Sequence, residues 1–78
     1  MNFLKGSIQK YHEKKLKEAI KELKYHTSIK NKIESQLKSA SDQEIKNEIQ
    51  KQLDNQNKLI SIWENNIKKI NKQLKKFN

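Results

Sequence analysis

The fold is decided by residues 49–77, which read IQKQLDNQNKLISIWENNIKKINKQLKKF. Apolar residues recur here in alternating steps of four and three, the spacing of a coiled-coil seam, for about four heptads. The seam positions are Ile49, Leu53, Gln56, Ile60, Trp63, Ile67, Ile70, Leu74 and Phe77. Gln56 is the one polar residue among them. The spacing predicts a long amphipathic helix that buries this seam against another helix.

A second, less regular seam precedes it. Its apolar members are Leu16, Ala19, Leu23, Ile33, Leu37 and Ala40, with His26 and Lys30 in the same phase. Leu4, Ile8 and Tyr11 are out of phase with this seam, which predicts a slip of register near Lys14 and Lys15. Ser7 follows the single glycine and is expected to cap the start of the regular helix.

The break between the two seams lies at residues 39–44, SASDQE. Ser41 followed three residues later by Glu44 has the spacing of a capping box at a helix N-terminus. Ser39 and Ala40 make a short connection, and short connections join antiparallel neighbours. One uninterrupted helix is the alternative, because Ser and Ala do not forbid it.

The sequence therefore predicts one all-α domain over residues 1–78, an antiparallel two-helix coiled-coil hairpin. The expected helices span about residues 7–38 and 42–76, with a turn at about 39–41. Facing residues in such a hairpin have numbers with a constant sum, here about 82. The predicted pairs are Ile33 with Ile49, Leu23 with Ile60, Ala19 with Trp63, His26 with Gln56, Leu16 with Ile67, and Leu4 near Phe77.

The apolar content predicts that the hairpin needs a partner. Of the 78 residues only 32% are hydrophobic, and two helices share a single seam, which seldom stabilises a monomer. Apolar residues flanking the seams widen the stripe beyond what one partner helix covers. We expect a homodimer that forms a four-helix bundle. The candidate self-association residues are Ile20, Ile29, Leu59, Ile62 and Trp63.

Patterns of catalysis and of cofactor binding are missing from the sequence. His12-Glu13 begins like a zinc-protease motif, but Leu16 stands where the second histidine is needed. There is no cysteine, and Gly6 is the only glycine, so a phosphate-binding glycine loop is excluded. We predict a non-enzymatic protein with no cofactor, no metal site and no small-molecule substrate. No apolar run is long enough for a signal peptide or a membrane span, which predicts a cytoplasmic location.

The polar seam pair, His26 and Gln56, has two interpretations. A polar layer inside an apolar seam commonly fixes register and oligomeric state, and this is the role we predict. A pH switch through the histidine is the alternative.

The positive charge is concentrated at one end. All 18 basic residues are lysines and the net charge is +9. Residues 25–64 carry six lysines and six acidic residues, whereas residues 1–24 have a net charge of +4 and residues 65–78 of +5. A hairpin brings both charged segments to its open end. Ten lysines there are candidate contacts for a polyanion or an acidic partner: Lys10, Lys14, Lys17, Lys21, Lys24, Lys68, Lys69, Lys72, Lys75 and Lys76.

Several meanings of this lysine excess stay open. It can be a solvated surface that reflects an AT-rich genome, a site for nucleic acid, or a site for an acidic protein; a membrane surface is the least favoured. Lysine without arginine suits non-specific phosphate contact better than base recognition. We expect a small interaction module that self-associates and docks onto a larger macromolecule as a regulator, scaffold or inhibitor. The alternative is a basic nucleic-acid-binding protein. The composition is also typical of small accessory proteins of phages and mobile elements.

Overall fold

Two long helices joined by a tight turn make up the fold. The computed structural model describes the backbone of residues 2–77 and the side chains of residues 5–77. Helix α1 spans Asn2–Ser39 and helix α2 spans Gln43–Lys75. They pack side by side in a rod with extents of 63 × 14 × 14 Å, and the described residues contain no strand. The predicted all-α helical hairpin is confirmed.

Helix α1 begins five residues earlier than the sequence predicted. It starts at Asn2, so Gly6 and Ser7 lie inside the helix and Ser7 does not cap it. One glycine costs a helix about 1 kcal/mol relative to alanine, which a long helix tolerates. The predicted contact between Leu4 and Phe77 lies outside the described side chains.

The turn is closed by Asp42 and not by Ser41. The Asp42 backbone is extended, with φ −84° and ψ 130°, and its Oδ1 accepts the Glu44 backbone N–H at 2.8 Å. On the other side of the turn, the Ala40 N–H donates to the Gln36 carbonyl at 3.0 Å. A carboxylate is a stronger acceptor than a hydroxyl, and its charge suits the positive end of the helix dipole. The capping box predicted at Ser41 is therefore wrong by one residue.

The core is a single seam between the helices. Ala19, Ile33 and Leu53 are buried, and the other predicted seam residues of both helices are half-buried. Two helices can enclose only the inner edge of each side chain, because no third element covers the flanks. The seams predicted from the sequence are confirmed.

The predicted slip of register near the start of α1 is wrong. Gln9 and His12 continue the phase of Leu16 and are half-buried, whereas Ile8 and Tyr11 are exposed. An unbroken helix keeps its phase, so polar residues occupy the seam here and the apolar residues lie beside it.

Candidate interaction surfaces

The hairpin has two different sides beside its seam. We give the seam positions of each heptad the letters a and d, with Leu16 as a in α1 and Leu53 as a in α2. Positions g and c of both helices then lie on one side, and positions e and b on the other. A groove between the helices is lined by Lys15, Glu22 and Asn66, all at position g, which supports this assignment. We call the g and c side the groove side and the e and b side the lysine side.

Exposed apolar side chains are concentrated on the groove side. Among residues 5–77, six large apolar residues are between 37% and 61% exposed. Five of these lie at groove-side positions: Ile8, Tyr11, Tyr25, Ile45 and Ile62. Only Ile20 lies on the lysine side. The half-buried Ile29 and Leu59 also occupy position g, so they extend the apolar surface toward the seam. The groove side therefore carries seven apolar side chains among residues 5–77, interspersed with polar and charged ones such as Lys15, Glu22 and Lys32.

The groove itself lies in the open half of the molecule. Its volume is about 560 Å³, and its floor contains Ala19, which is 1% exposed, beside Trp63. The other lining residues are Tyr11, His12, Lys15, Glu18, Glu22, Asn66, Lys69, Ile70 and Gln73. The groove thus combines an apolar floor with a charged rim.

Contacts within the chain fix part of that rim. Lys15 Nζ lies 3.6 Å from Glu18 Oε2 and 5.7 Å from the centre of the Tyr11 ring. The His12 ring meets Tyr11 edge-on, with centroids 5.5 Å apart, and lies 6.2 Å from the Phe77 ring. Three aromatic rings therefore close the open end of the groove side.

The polar layer predicted in the seam is present. His26 Nδ1 lies 2.9 Å from Gln56 Oε1. A carbonyl oxygen only accepts, so Nδ1 carries the donated proton in this pair. His26 Nε2 is 3.7 Å from Glu22 Oε2 on the groove side. The contact also shows how the two helices are paired, because the residue numbers 26 and 56 give the predicted sum of 82. Its role in setting register remains a prediction.

The candidate lysines are all exposed but do not share one surface. Lys10, Lys17, Lys24, Lys68 and Lys75 hold position b on the lysine side. Lys14, Lys21 and Lys72 hold the outermost position f. Lys69 and Lys76 hold position c, and Lys69 lines the groove. None of the ten makes an ion pair among residues 5–77, where the lysine pairs are Lys15 with Glu18 and Lys51 with Glu48.

The structure brings together four of the five candidate self-association residues. Ile29, Leu59, Ile62 and Trp63 lie on or beside the groove side, whereas Ile20 lies on the opposite side. Sequence reasoning missed Ile8, Tyr11, Tyr25 and Ile45 as members of this surface. Extending the heptad letters of each seam in both directions would have found them, because all four fall at position g or c.

The described residues contain no group of three or more potential metal ligands from His, Cys, Asp and Glu, and neither helix has an apolar stretch able to cross a bilayer. Comparison with protein-family models, curated proteins and solved structures finds no match for this chain.

Proposed function

We propose that this chain is a small, non-enzymatic interaction module that self-associates through its groove side and docks onto a larger macromolecule as a regulator, scaffold or inhibitor. The observation that carries the proposal is the one-sided distribution of its exposed apolar residues, five of six on the groove side. Isolated surface hydrophobes are ordinary, but several exposed apolar residues grouped on one side of a small protein are typical of a protein interface.

The exposed area supports self-association. The chain exposes 6383 Å², whereas a compact folded monomer of the same mass exposes about 5,000 Å². The excess is about 1,400 Å², close to what one partner buries in an obligate homodimer. A second hairpin on the groove side would remove an area of that size, and the resulting four helices would form a bundle.

The docking part of the proposal rests on the lysine side. Its open half carries five lysines at position b, and none of them forms an ion pair among residues 5–77. In that half the lysine side has only one acidic residue, Glu13, and such an excess of positive charge attracts an acidic partner and accelerates its association. With the groove side covered by a second copy, this surface stays open for the larger partner.

Self-association is tested by the mass in solution. We expect sedimentation equilibrium at micromolar concentration to give twice the chain mass of 9.3 kDa. Ile62→Lys on the groove side should yield monomers. Ile20→Lys, the same change on the lysine side, should leave the dimer intact. A monomeric mass for the unaltered chain contradicts the proposal.

Nucleic-acid binding is the second candidate function. It is favoured by the concentration of charge at the open end, where residues 65–78 carry five lysines and no acidic residue. Tyr11, His12 and Phe77 lie at the same end, and aromatic rings beside lysines can stack on unpaired bases. Lysine ammonium groups suit phosphates without reading sequence.

Fluorescence anisotropy with double-stranded DNA, single-stranded DNA and RNA tests this candidate. Tight binding at about 50 mM salt that weakens steeply at about 200 mM would support it. Changing the five α2 lysines to glutamine should abolish binding: Lys68, Lys69, Lys72, Lys75 and Lys76. The control changes the four exposed lysines of the neutral half: Lys32, Lys38, Lys51 and Lys58. Absence of binding at low salt would rule the candidate out.

A further inference from the structure

The apolar residues of the groove side, apart from Ile8, are arranged symmetrically along the rod. In the hairpin, Leu59 lies level with Leu23 and Ile62 with Ile20, by the pairing that the His26–Gln56 contact fixes. These two residues, with Tyr25 and Ile29, form a central cluster around the level of Lys24.

Two further apolar positions flank the cluster at equal distances. Tyr11 lies about 20 Å from the level of Lys24 toward the open end. Ile45 is level with Leu37 and lies about 20 Å toward the turn. A two-fold axis across the cluster would therefore exchange the levels of Tyr11 and Ile45.

We propose that two copies of this chain pack groove side on groove side with their helix pairs antiparallel and the two-fold axis beside Tyr25 and Leu59. The inference rests on the proposed self-association and adds its geometry. The central cluster packs against its own copy, as an isologous interface requires. The Ile45 level of each chain then lies over the open end of the partner's groove, where Tyr11 is exposed.

Charge selects this orientation over a parallel one. Each chain carries its entire net charge of +9 in the open half, outside residues 25–64. A parallel pair places the two open halves side by side, and like charges facing each other across an interface are unfavourable. An antiparallel pair places each open half beside the neutral half of the partner.

Individual groove-side charges agree with the antiparallel orientation. Glu18 of one chain comes within two residues, or about 3 Å, of the level of Lys32 of the partner subunit, and Lys69 comes within about one residue of the level of the partner's Glu48. In a parallel pair the same residues face their own copies. Both orientations bury a similar area, because either one covers the groove side.

Chemical cross-linking distinguishes the two orientations. The chain contains no cysteine, so single cysteine variants report on one position each. Tyr25→Cys and Tyr11→Cys are matched, since both replace an exposed tyrosine at position c, and Tyr25 lies beside the proposed axis. With a short bismaleimide linker, we expect Tyr25→Cys to give covalent dimers. Tyr11→Cys should give only background, because its two copies lie about 40 Å apart.

Sedimentation of the same variants distinguishes a failure of self-association from a failure of the antiparallel arrangement. A monomeric mass would overturn self-association and this arrangement together. A dimer that cross-links at both positions is parallel, and a dimer that cross-links at neither uses another surface. Either result overturns the antiparallel arrangement and leaves self-association standing. A dimer that cross-links through Tyr25→Cys alone supports the arrangement.

Discussion

The turn half of the hairpin, residues 25–64, differs from the open half in both its core and its surface. Of the three residues that are buried among residues 5–77, the turn half contains two, Ile33 and Leu53, and its lysines and acidic residues balance. Among the described side chains of the open half only Ala19 is buried, and this half carries the whole net charge of +9. Both halves are helical to the same extent, although their sequences support that structure unequally.

This difference indicates that the helical fold tolerates the charge pattern of the open half but does not require it. Like charges one turn apart oppose helix formation by a few tenths of a kcal/mol per pair. The open half keeps several such pairs, for example Lys10 with Lys14 and Lys68 with Lys72, although mixed charges would stabilise the helices better. The stability of the hairpin should therefore come mainly from the turn half, and the lysines of the open half are available for another role.

The largest expected effect is in the core of the turn half. Ile33→Ala removes a buried side chain and leaves a cavity, so we expect the free energy of unfolding to fall by about 2–4 kcal/mol. Ile20→Ala in the open half removes the same atoms from a partly exposed position and should cost much less. Urea denaturation followed by circular dichroism measures both. Equal losses would contradict the concentration of stability in the turn half.

The next effect is at the border between the halves. His26→Ala leaves the half-buried Gln56 amide without its partner, and we expect a loss of about 1–2 kcal/mol in the free energy of unfolding. Replacing both residues by leucine removes the polar pair and should restore stability. That double variant should also broaden the distribution of oligomer masses, because the layer no longer fixes register. A single unchanged mass would contradict the register role.

Removing the cap of α2 should have a smaller effect on stability, and the adjacent residue Ser41 provides the control. Asp42→Ala removes the acceptor of the Glu44 N–H and should lower the free energy of unfolding by about 1 kcal/mol. Ser41→Ala changes the adjacent residue, which caps nothing, and should have almost no effect. Thermal melts of the two variants give the comparison, and a larger loss at Ser41 would reverse the assignment of the cap.

The smallest effect concerns the lysines of the open half. Glutamine at Lys68, Lys72 and Lys75 removes like-charge repulsion, so we expect a gain of a few tenths of a kcal/mol at low salt. The gain should disappear at high salt, where the charges are screened. The same change at Lys38, Lys46 and Lys51 in the turn half should stabilise less or destabilise, because Lys51 pairs with Glu48. Melting curves at two salt concentrations test the difference.

The fold could be predicted from the sequence because the seam is repetitive. The spacing of four and three residues repeats from Ile49 to Phe77, so each step predicts the same helix face. The pairing of His26 with Gln56 across the hairpin is an independent check on this prediction. The residue that caps the start of α2 could not be predicted in the same way. Ser41 and Asp42 are adjacent and both favour a helix start, so the choice depends on which side chain reaches the Glu44 N–H.

The candidate surface was only partly predictable. Ile29, Leu59 and Ile62 flank a clear seam, so their exposure on one side follows from helical spacing. The slip of register predicted from Ile8 and Tyr11 is wrong, because polar residues occupy the seam at the start of α1 and these two apolar residues lie beside it. The groove was not predictable, since it depends on how the side chains around Ala19 and Trp63 are arranged in three dimensions.

The constant pairing of the two helices also sets an order for folding. Each step away from the turn lengthens by two residues the loop that must close before a facing pair can form. Pairs near Asp42 therefore form at the lowest entropic cost, and pairs near Tyr11 at the highest. The hairpin should close like a zipper from its turn and open from its termini. Amide protons in the open half should accordingly exchange with solvent before those around Ile33 and Leu53.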